Sequence, residues 1–355
     1  MRKSLGLLLI GAAACVPDIE LKAEATAAGS GSGGSAGGPI VCVDAGFEEW
    51  SFDTGLSEEL GTTIVDLDSD GLGDVASSFQ LSAAAMVQWG KPGPGAGETT
   101  KKNVQRPSGW IRHGDFDGDG RGDLVLTSTD YSTQSVLLQK QSRTFTLVAI
   151  EQLTDGKVLV VDVEGDGAQD LLFRTADEYV VRPGDGKGNF GPAKTYVGIP
   201  RSDELDSGDF DGDGKFELLR MRKDAPLVIL SVGPGGALAE MPIDGSALET
   251  LEGPTFVADV DGDGKSEAVI ATGSRELGFI ELRTHNHDAT PRFDRCVRVP
   301  FPPSLVNDPQ IANHPKGSVN FSAVGDVNGD GKADFFFNNA CPACPYRHSL
   351  MVQVP

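Results

Sequence analysis

Short apolar segments recur along residues 60–355, some alternating with polar positions and some almost wholly apolar, and an acidic glycine-containing turn interrupts each group of them. Segments 62–65 (TTIV), 110–114 (WIRHG), 158–161 (VLVV), 255–258 (TFVA) and 321–325 (FSAVG) lead into such turns. Segments 74–79 (DVASSF), 123–128 (DLVLTS), 170–175 (DLLFRT), 217–222 (ELLRMR), 267–272 (EAVIAT) and 334–339 (DFFFNN) lead out of them. Their length and their β-branched and aromatic content predict strands. A third strand follows after a loop at 84–89, 135–140, 178–184, 227–233, 277–283 and 350–354, and a fourth is visible at 143–150, 193–199, 237–243 and 296–301. Four strands in a unit of about 48 residues is the layout of a propeller blade. The expected fold is therefore all-β, a β-propeller of six four-stranded blades starting near residues 56, 106, 153, 200, 250 and 316. A seventh blade is the alternative, because the fifth interval is long. Its surplus at 284–295 and 302–318 is rich in Pro, Asn and His, however, and reads as loops.

The turns themselves carry the chemistry. They are DLDSDGLGD (66–74), DFDGDGRGD (115–123), DVEGDGAQD (162–170), DFDGDGKFE (209–217), DVDGDGKSE (259–267) and DVNGDGKAD (326–334). Side-chain oxygens occupy the first, third, fifth and ninth positions throughout. The candidate ligands are Asp66, Asp68, Asp70 and Asp74 in the first turn, Asp115, Asp117, Asp119 and Asp123 in the second, and Asp162, Glu164, Asp166 and Asp170 in the third. Asp209, Asp211, Asp213 and Glu217 form the fourth set, Asp259, Asp261, Asp263 and Glu267 the fifth, and Asp326, Asn328, Asp330 and Asp334 the sixth. The seventh position varies freely, so only its carbonyl can matter, and the invariant glycine at the sixth permits the sharp reversal. Hard oxygens on a tight flexible loop suit calcium, up to six ions. Magnesium demands stricter geometry, and zinc would want Cys or His, which the turns lack.

An EF-hand begins in the same way but needs a bidentate Glu at its twelfth position and flanking helices. Here that position is Ser77, Leu126, Phe173, Arg220, Ile270 or Phe337, and the flanks read as strands. Asp, Asn and Gly also make good turns with no ion. Six repetitions of four converging oxygens, most of them charged, argue against that reading, since crowded carboxylates repel without a cation. Glu164 is a longer ligand and Asn328 lacks a charge, so the third and sixth sites are expected to be the weakest.

The net charge of −22 is concentrated in these turns, and no basic patch or basic helix suggests a nucleic-acid partner. Residues 1–15 begin with two basic residues, continue as a short apolar run and end in small residues before Cys15, the form of an export signal. Its end resembles a bacterial lipobox with Ala12 where Leu is usual. Lipidation of Cys15 is expected, and simple cleavage after Ala14 is the alternative. The Gly/Ser-rich stretch within 16–39 reads as a flexible tether, and 40–355 as the propeller. An exported envelope lipoprotein follows, touching the membrane through its lipid alone. The remaining cysteines, Cys42, Cys296, Cys341 and Cys344, allow two disulfides.

A DxDxDGxxD turn between the first two strands of a blade resembles the FG-GAP repeat of integrin α-subunit propellers and the related VCBS-type repeats of bacterial exported proteins. The resemblance covers about residues 40–355. It implies the propeller and calcium at the matching turn positions, and it does not imply integrin ligand binding, for which no recognition surface is visible. The sixth unit reaches Pro355 with three strands, so 40–44 (IVCVD) or 47–52 (FEEWSF) is expected to close the ring on the last blade. Cys42 would then lie near Cys341 and Cys344, and a disulfide between them would lock the closure.

Other signals are weaker. The RGD at 121–123 includes Asp123, already a metal candidate, and CPAC at 341–344 lies between strands and reads as structural. His285, His287 and Asp288 read as a solvated loop in preference to a metal or proton-transfer site, and Trp50, Trp89 and Trp110 as blade packing in preference to sugar stacking. No GxSxG, HExxH, Walker or Rossmann pattern is present. The expected function is a non-catalytic, monomeric propeller that binds a protein or glycan ligand. The alternatives are a lectin, or a polysaccharide-active enzyme, which would need a convergent set of polar groups in the central funnel. Candidates such as Arg112 and His113 adjoin a metal turn, which places them at the wrong rim unless the loops of the other rim fold over.

Overall fold

The computed structural model describes residues 40–52, 59–95, 97–141, 143–151, 158–175, 178–196, 199, 204–222, 225–233, 237–246, 248, 255–274, 278–307, 319–339 and 348–354. The proposed signal, Cys15, the tether, Cys341 and Cys344 lie outside the described residues.

Two strands precede the first blade, β1 (Val43–Asp44) and β2 (Phe47–Phe52). The first blade is β3 (Glu59–Val65), β4 (Asp74–Phe79), β5 (Ala84–Gln88) and β6 (Thr99–Asn103). The second is β7 (Ser108–Gly114), β8 (Asp123–Ser128), β9 (Thr133–Lys140) and β10 (Thr144–Glu151). The third is β11 (Val158–Val161), β12 (Asp170–Arg174), β13 (Tyr179–Arg182) and β14 (Lys194–Tyr196), and the fourth is β15 (Glu204–Gly208), β16 (Glu217–Met221), β17 (Val228–Gly233) and β18 (Ala237–Pro242). The fifth is β19 (Thr255–Ala258), β20 (Glu267–Ser274), β21 (Phe279–His285) and β22 (Phe293–Pro300). A single helical turn, α1 (Pro303–Val306), leads to the sixth, β23 (Val319–Gly325), β24 (Asp334–Asn339) and β25 (His348–Gln353). Six blades result, as the repeat count predicts. Thr284–His285 and Phe293–Arg295, expected in a loop, instead extend β21 and β22.

The ring closes as expected. β2 pairs antiparallel with β25 from Phe47 opposite Gln353 to Phe52 opposite His348, supplying the missing fourth strand of the last blade. Glu49 on β2 also accepts hydrogen bonds from the Ser304 amide of α1 (3.1 Å) and from the Ser349 hydroxyl. The disulfide differs from the expectation. Cys42 is bonded to Cys296, because β1 runs parallel to β22, with Val43 opposite Val297, and so holds Cys42 against the outer strand of the fifth blade.

Packing explains the apolar strands. Each second strand lies between two neighbouring blades, so both of its faces are buried and its sequence is a continuous apolar run. In β4, Val75 packs toward the sixth blade and Ala76 toward the second; in β8, Leu124 faces the first blade and Val125 the third. Six hydrophobic clusters fill the six interfaces between blades, one apiece. Trp89 and Trp110 are buried in this packing, with Trp89 stacked on Phe145 and Trp110 on Tyr131, and Trp50 packs against the cluster joining the sixth and first blades.

The acidic turns also touch one another around the ring. The Gly73 amide donates to the Asp326 carbonyl (2.8 Å), Gly122 to Leu67 (2.9 Å) and Ser266 to Asp209 (2.6 Å). A Cβ at Gly73 would lie 2.3 Å from that Asp326 oxygen, so only glycine permits the first and last turns to meet.

Candidate metal centres

Each turn is organised by the same local hydrogen bonds. The first-position carboxylate accepts from amides of the loop it opens: Asp115 takes Gly118 (2.8 Å), Asp119 (3.2 Å) and Gly120 (2.9 Å). The fifth-position carboxylate accepts from the seventh-position amide in all six turns, as Asp70 does from Leu72 (3.0 Å) and Asp330 from Lys332 (3.0 Å). The ninth-position acid accepts from the second-position amide in all six, as Asp74 does from Leu67 (2.8 Å) and Glu217 from Phe210 (2.9 Å). Backbone donors thus hold the acids at close range.

Two features of the turns escaped the sequence reading, though their signal is present in it. The second position is apolar in every copy, and Leu67, Phe116, Val163, Phe210, Val260 and Val327 each enter the cluster shared with the following blade. The fourth position is glycine in five copies and, like the sixth, takes positive φ; Ser69 adopts φ 60° in the remaining one.

The candidate ligands converge in part. Oxygens of Asp66, Asp68 and Asp70, of Asp115, Asp117 and Asp123, and of Asp259, Asp261, Asp263 and Glu267 lie within 4.8 Å of one another in each group. The ninth-position acids are buried at the floor of the turns. Their second oxygen accepts a further amide, from Gly90 to Asp74 (2.7 Å), Gln139 to Asp123 (2.7 Å), Gly184 to Asp170 (2.7 Å) and Gln353 to Asp334 (2.8 Å). Burial, with the neighbouring carboxylates adding to it, pushes Asp74, Asp123, Asp334 and Glu217 up to about 7 and Asp170 to about 6. Glu267 and Asp259 are raised as well, chiefly by burial.

Basic side chains gather on the third and fifth positions. Arg143, from the second blade, donates to Asp68 (2.6 Å) and Asp70 (3.0 Å) of the first turn. Lys140 meets Asp117, Arg121 meets Asp119, Lys194 meets Glu164 (2.9 Å) and Arg295 meets Asp261. In the fourth and sixth turns the third position serves the loop itself, Asp211 accepting from the Asp213 amide (3.1 Å) and Asn328 from the Asp330 amide (2.9 Å).

The residues fit a calcium ion on a specific observation. Asp68 Oδ1 and Asp117 Oδ1 are buried and have no hydrogen-bond partner, although the other oxygen of each is paired with a base. A buried carboxylate oxygen without a donor costs about 1–3 kcal/mol, and a hard cation at the centre of the acid cluster would satisfy it.

A cavity of about 310 Å³ is lined by residues of the inner strands, among them Thr63, Arg112, His113, Asp206 and Ser207, and reaches Asp259 and Asp326 of the fifth and sixth turns. Arg112 lies 3.5 Å from Asp206 across it, and Thr63 Oγ1 is 3.3 Å from His113 Nδ1. Burial, with the charge of Arg112 adding to it, lowers the His113 pKa to about 4 and keeps that imidazole neutral at physiological pH. The loop of His285 and His287 is not solvated as expected: His285 is buried, and His287 points into the fifth turn.

A comparison with curated proteins finds no match. Among solved structures, an Agrocybe aegerita lectin that recognises non-reducing terminal N-acetylglucosamine is 18% identical, with 79% of this chain and 75% of that one covered at a TM-score of 0.48. A chain of the Photorhabdus luminescens Tc holotoxin pore is 16% identical at a TM-score of 0.52; 88% of this chain is covered, and it spans 15% of that one. Virginiamycin B lyase from Staphylococcus aureus is 10% identical, with 87% and 100% covered at a TM-score of 0.44. At 16% identity, the likeness to the holotoxin chain bears on fold alone. Residues 115–173, which run from the second acidic turn through β8–β11 and the third acidic turn, match the FG-GAP-like repeat family. The chain is thus a six-bladed β-propeller carrying an FG-GAP-like repeat.

Proposed function

We propose that this chain is a calcium-binding, non-catalytic propeller held at a bacterial envelope through a lipid on Cys15, presenting a loop face to a protein or glycan partner. The observation that carries the calcium reading is the pair of orphaned, buried oxygens of Asp68 and Asp117, each inside a converging set of acids. The ligands are the acids at the first, third, fifth and ninth positions named above, with the seventh-position carbonyl. Calcium bound there supplies positive charge that relieves the repulsion among the acids and cross-braces the first two strands of a blade. Because the turns also bond to one another, bracing one steadies its neighbour. Turns and third-to-fourth-strand loops share one rim, which leaves the loops of the opposite rim free to vary for recognition. Large apolar side chains exposed among the described residues are three, Val41, Val43 and Leu81, in keeping with a monomer.

Thermal melts with calcium and with chelator test the reading. The midpoint is expected to rise with calcium concentration, since binding to the native state alone stabilises it by about 2.7 kcal/mol at a hundredfold excess over Kd. An unchanged midpoint, with no calcium retained after dialysis, would refute it.

The axial cavity favours a second reading, an enzyme acting on an acidic glycan, because Arg112, His113 and Asp206 do converge there. Against it, the Arg112 charge already faces Asp206. Release of unsaturated products from acidic polysaccharides would establish this second reading in place of the first.

A further inference from the structure

The fifth turn departs from the first, second, third and sixth at one atom. In four turns the second oxygen of the ninth-position acid accepts a backbone amide from the chain at the end of the third strand. At the fifth turn the same place is taken by a side chain: His287 Nε2 lies 2.6 Å from Glu267 Oε1 and 3.9 Å from Asp263 Oδ1. An amide can only donate there, whereas a neutral imidazole offers a lone pair. The three ligand atoms lie within 4.8 Å of one another, and Asp259 and Asp261 complete the acid set around Glu267.

The surrounding chain holds His287 in this position. β21 and β22 slip register between Thr284 and His285, just before the 286–292 loop that carries His287. Asn286 then pins the loop: its amide donates to the Arg292 carbonyl (3.0 Å), its side chain donates to Asp294 (2.6 Å) and Asp288 (3.0 Å), and its carbonyl faces His285 Nδ1 at 2.7 Å. The buried His285 ring packs edge-on against His287, 5.2 Å between centroids. Little side-chain freedom remains to be lost when an ion binds.

We propose that the fifth turn, through Asp263, Glu267 and His287, is a mixed nitrogen and oxygen site for a divalent transition ion of the zinc class, distinct from the all-oxygen turns. Imidazole favours zinc and its neighbours in the first transition series, and calcium gains little from a nitrogen donor. This deepens the metal reading above while resting on one turn.

Cobalt(II), a zinc substitute with visible absorption, tests it on the full-length chain stripped with chelator and then held in excess calcium. One cobalt per chain is expected, with a ligand-field band that zinc abolishes on addition of one equivalent. H287A and the bulkier H287Q are both expected to weaken cobalt binding at least about tenfold, with calcium uptake and the thermal midpoint retained in calcium. Cobalt uptake that is indifferent to both substitutions, or no uptake above calcium, would overturn the proposal and show His287 to be only a hydrogen-bonding clamp on Glu267. Loss of all calcium binding with a His287-dependent cobalt band would instead refute the calcium reading and leave this one standing.

Discussion

At the scale of single residues, the turns hold acids that burial makes hard to ionise without a cation. Asp74, Asp123 and Asp334 have folded values near 7 against an ordinary 3.8. A carboxyl raised on folding contributes stability that is full below its unfolded value and lost as pH climbs through the folded one. In chelator, the melting midpoint is therefore expected to be highest near pH 4 and to fall as pH approaches and passes about 7. Saturating calcium should suppress that fall, because it favours the ionised form. Melts across this range with and without calcium check the sign. Arg143 offers a second test, since its guanidinium lies on both Asp68 and Asp70 and must yield to an ion. Arg143→Gln is expected to strengthen calcium binding at the first turn by a few-fold, on the order of 1 kcal/mol, as read by calorimetry. Loss of its stacking on Trp89, 5.0 Å from the ring centroid, should lower the metal-free midpoint slightly.

At the scale of the element, the unit is a strand, a turn and a second strand. The turn is fastened from below as well as from within, because its second residue is a hydrophobic anchor whose amide also holds the ninth-position acid. Phe116 shows both roles: it is buried against Phe190 of the third blade, and its amide donates to Asp123. Phe116→Ala should destabilise the protein by about 3–5 kcal/mol in urea denaturation and weaken calcium uptake at the second turn alone. The acidic positions and the glycine at the sixth were legible in the sequence because their spacing is local. The anchor was legible too, as an apolar residue in every copy, but its purpose shows only once the next blade is in place. The second and third strands of each blade were read correctly, since their burial leaves largely apolar runs, whereas the polar and partly exposed β6 and β15 were missed.

At the scale of the whole molecule, closure depends on the segment before the first blade. β2 completes the last sheet, and β1 with Cys42 ties that segment to the fifth blade at Cys296. Cys42→Ala is expected to cost about 2–4 kcal/mol, and reductant should produce the same loss in the wild-type chain with no further effect on the variant. Equilibrium denaturation with and without reductant checks both.

By itself, the sequence determined whatever is encoded within a few consecutive residues: oxygen donors at alternate turn positions, glycines where the chain reverses, and strand periods that add up to six blades. Even the closing strand could be inferred, since a sheet edge must be covered. The tertiary structure alone decided which distant groups meet. It paired Cys42 with Cys296 through a parallel two-residue strand, brought Arg143 from one blade onto the turn of another, and placed His287 against Glu267 of the fifth turn. Those partners lie far apart along the chain, and strand register and blade packing, which no local pattern specifies, set the distances between them.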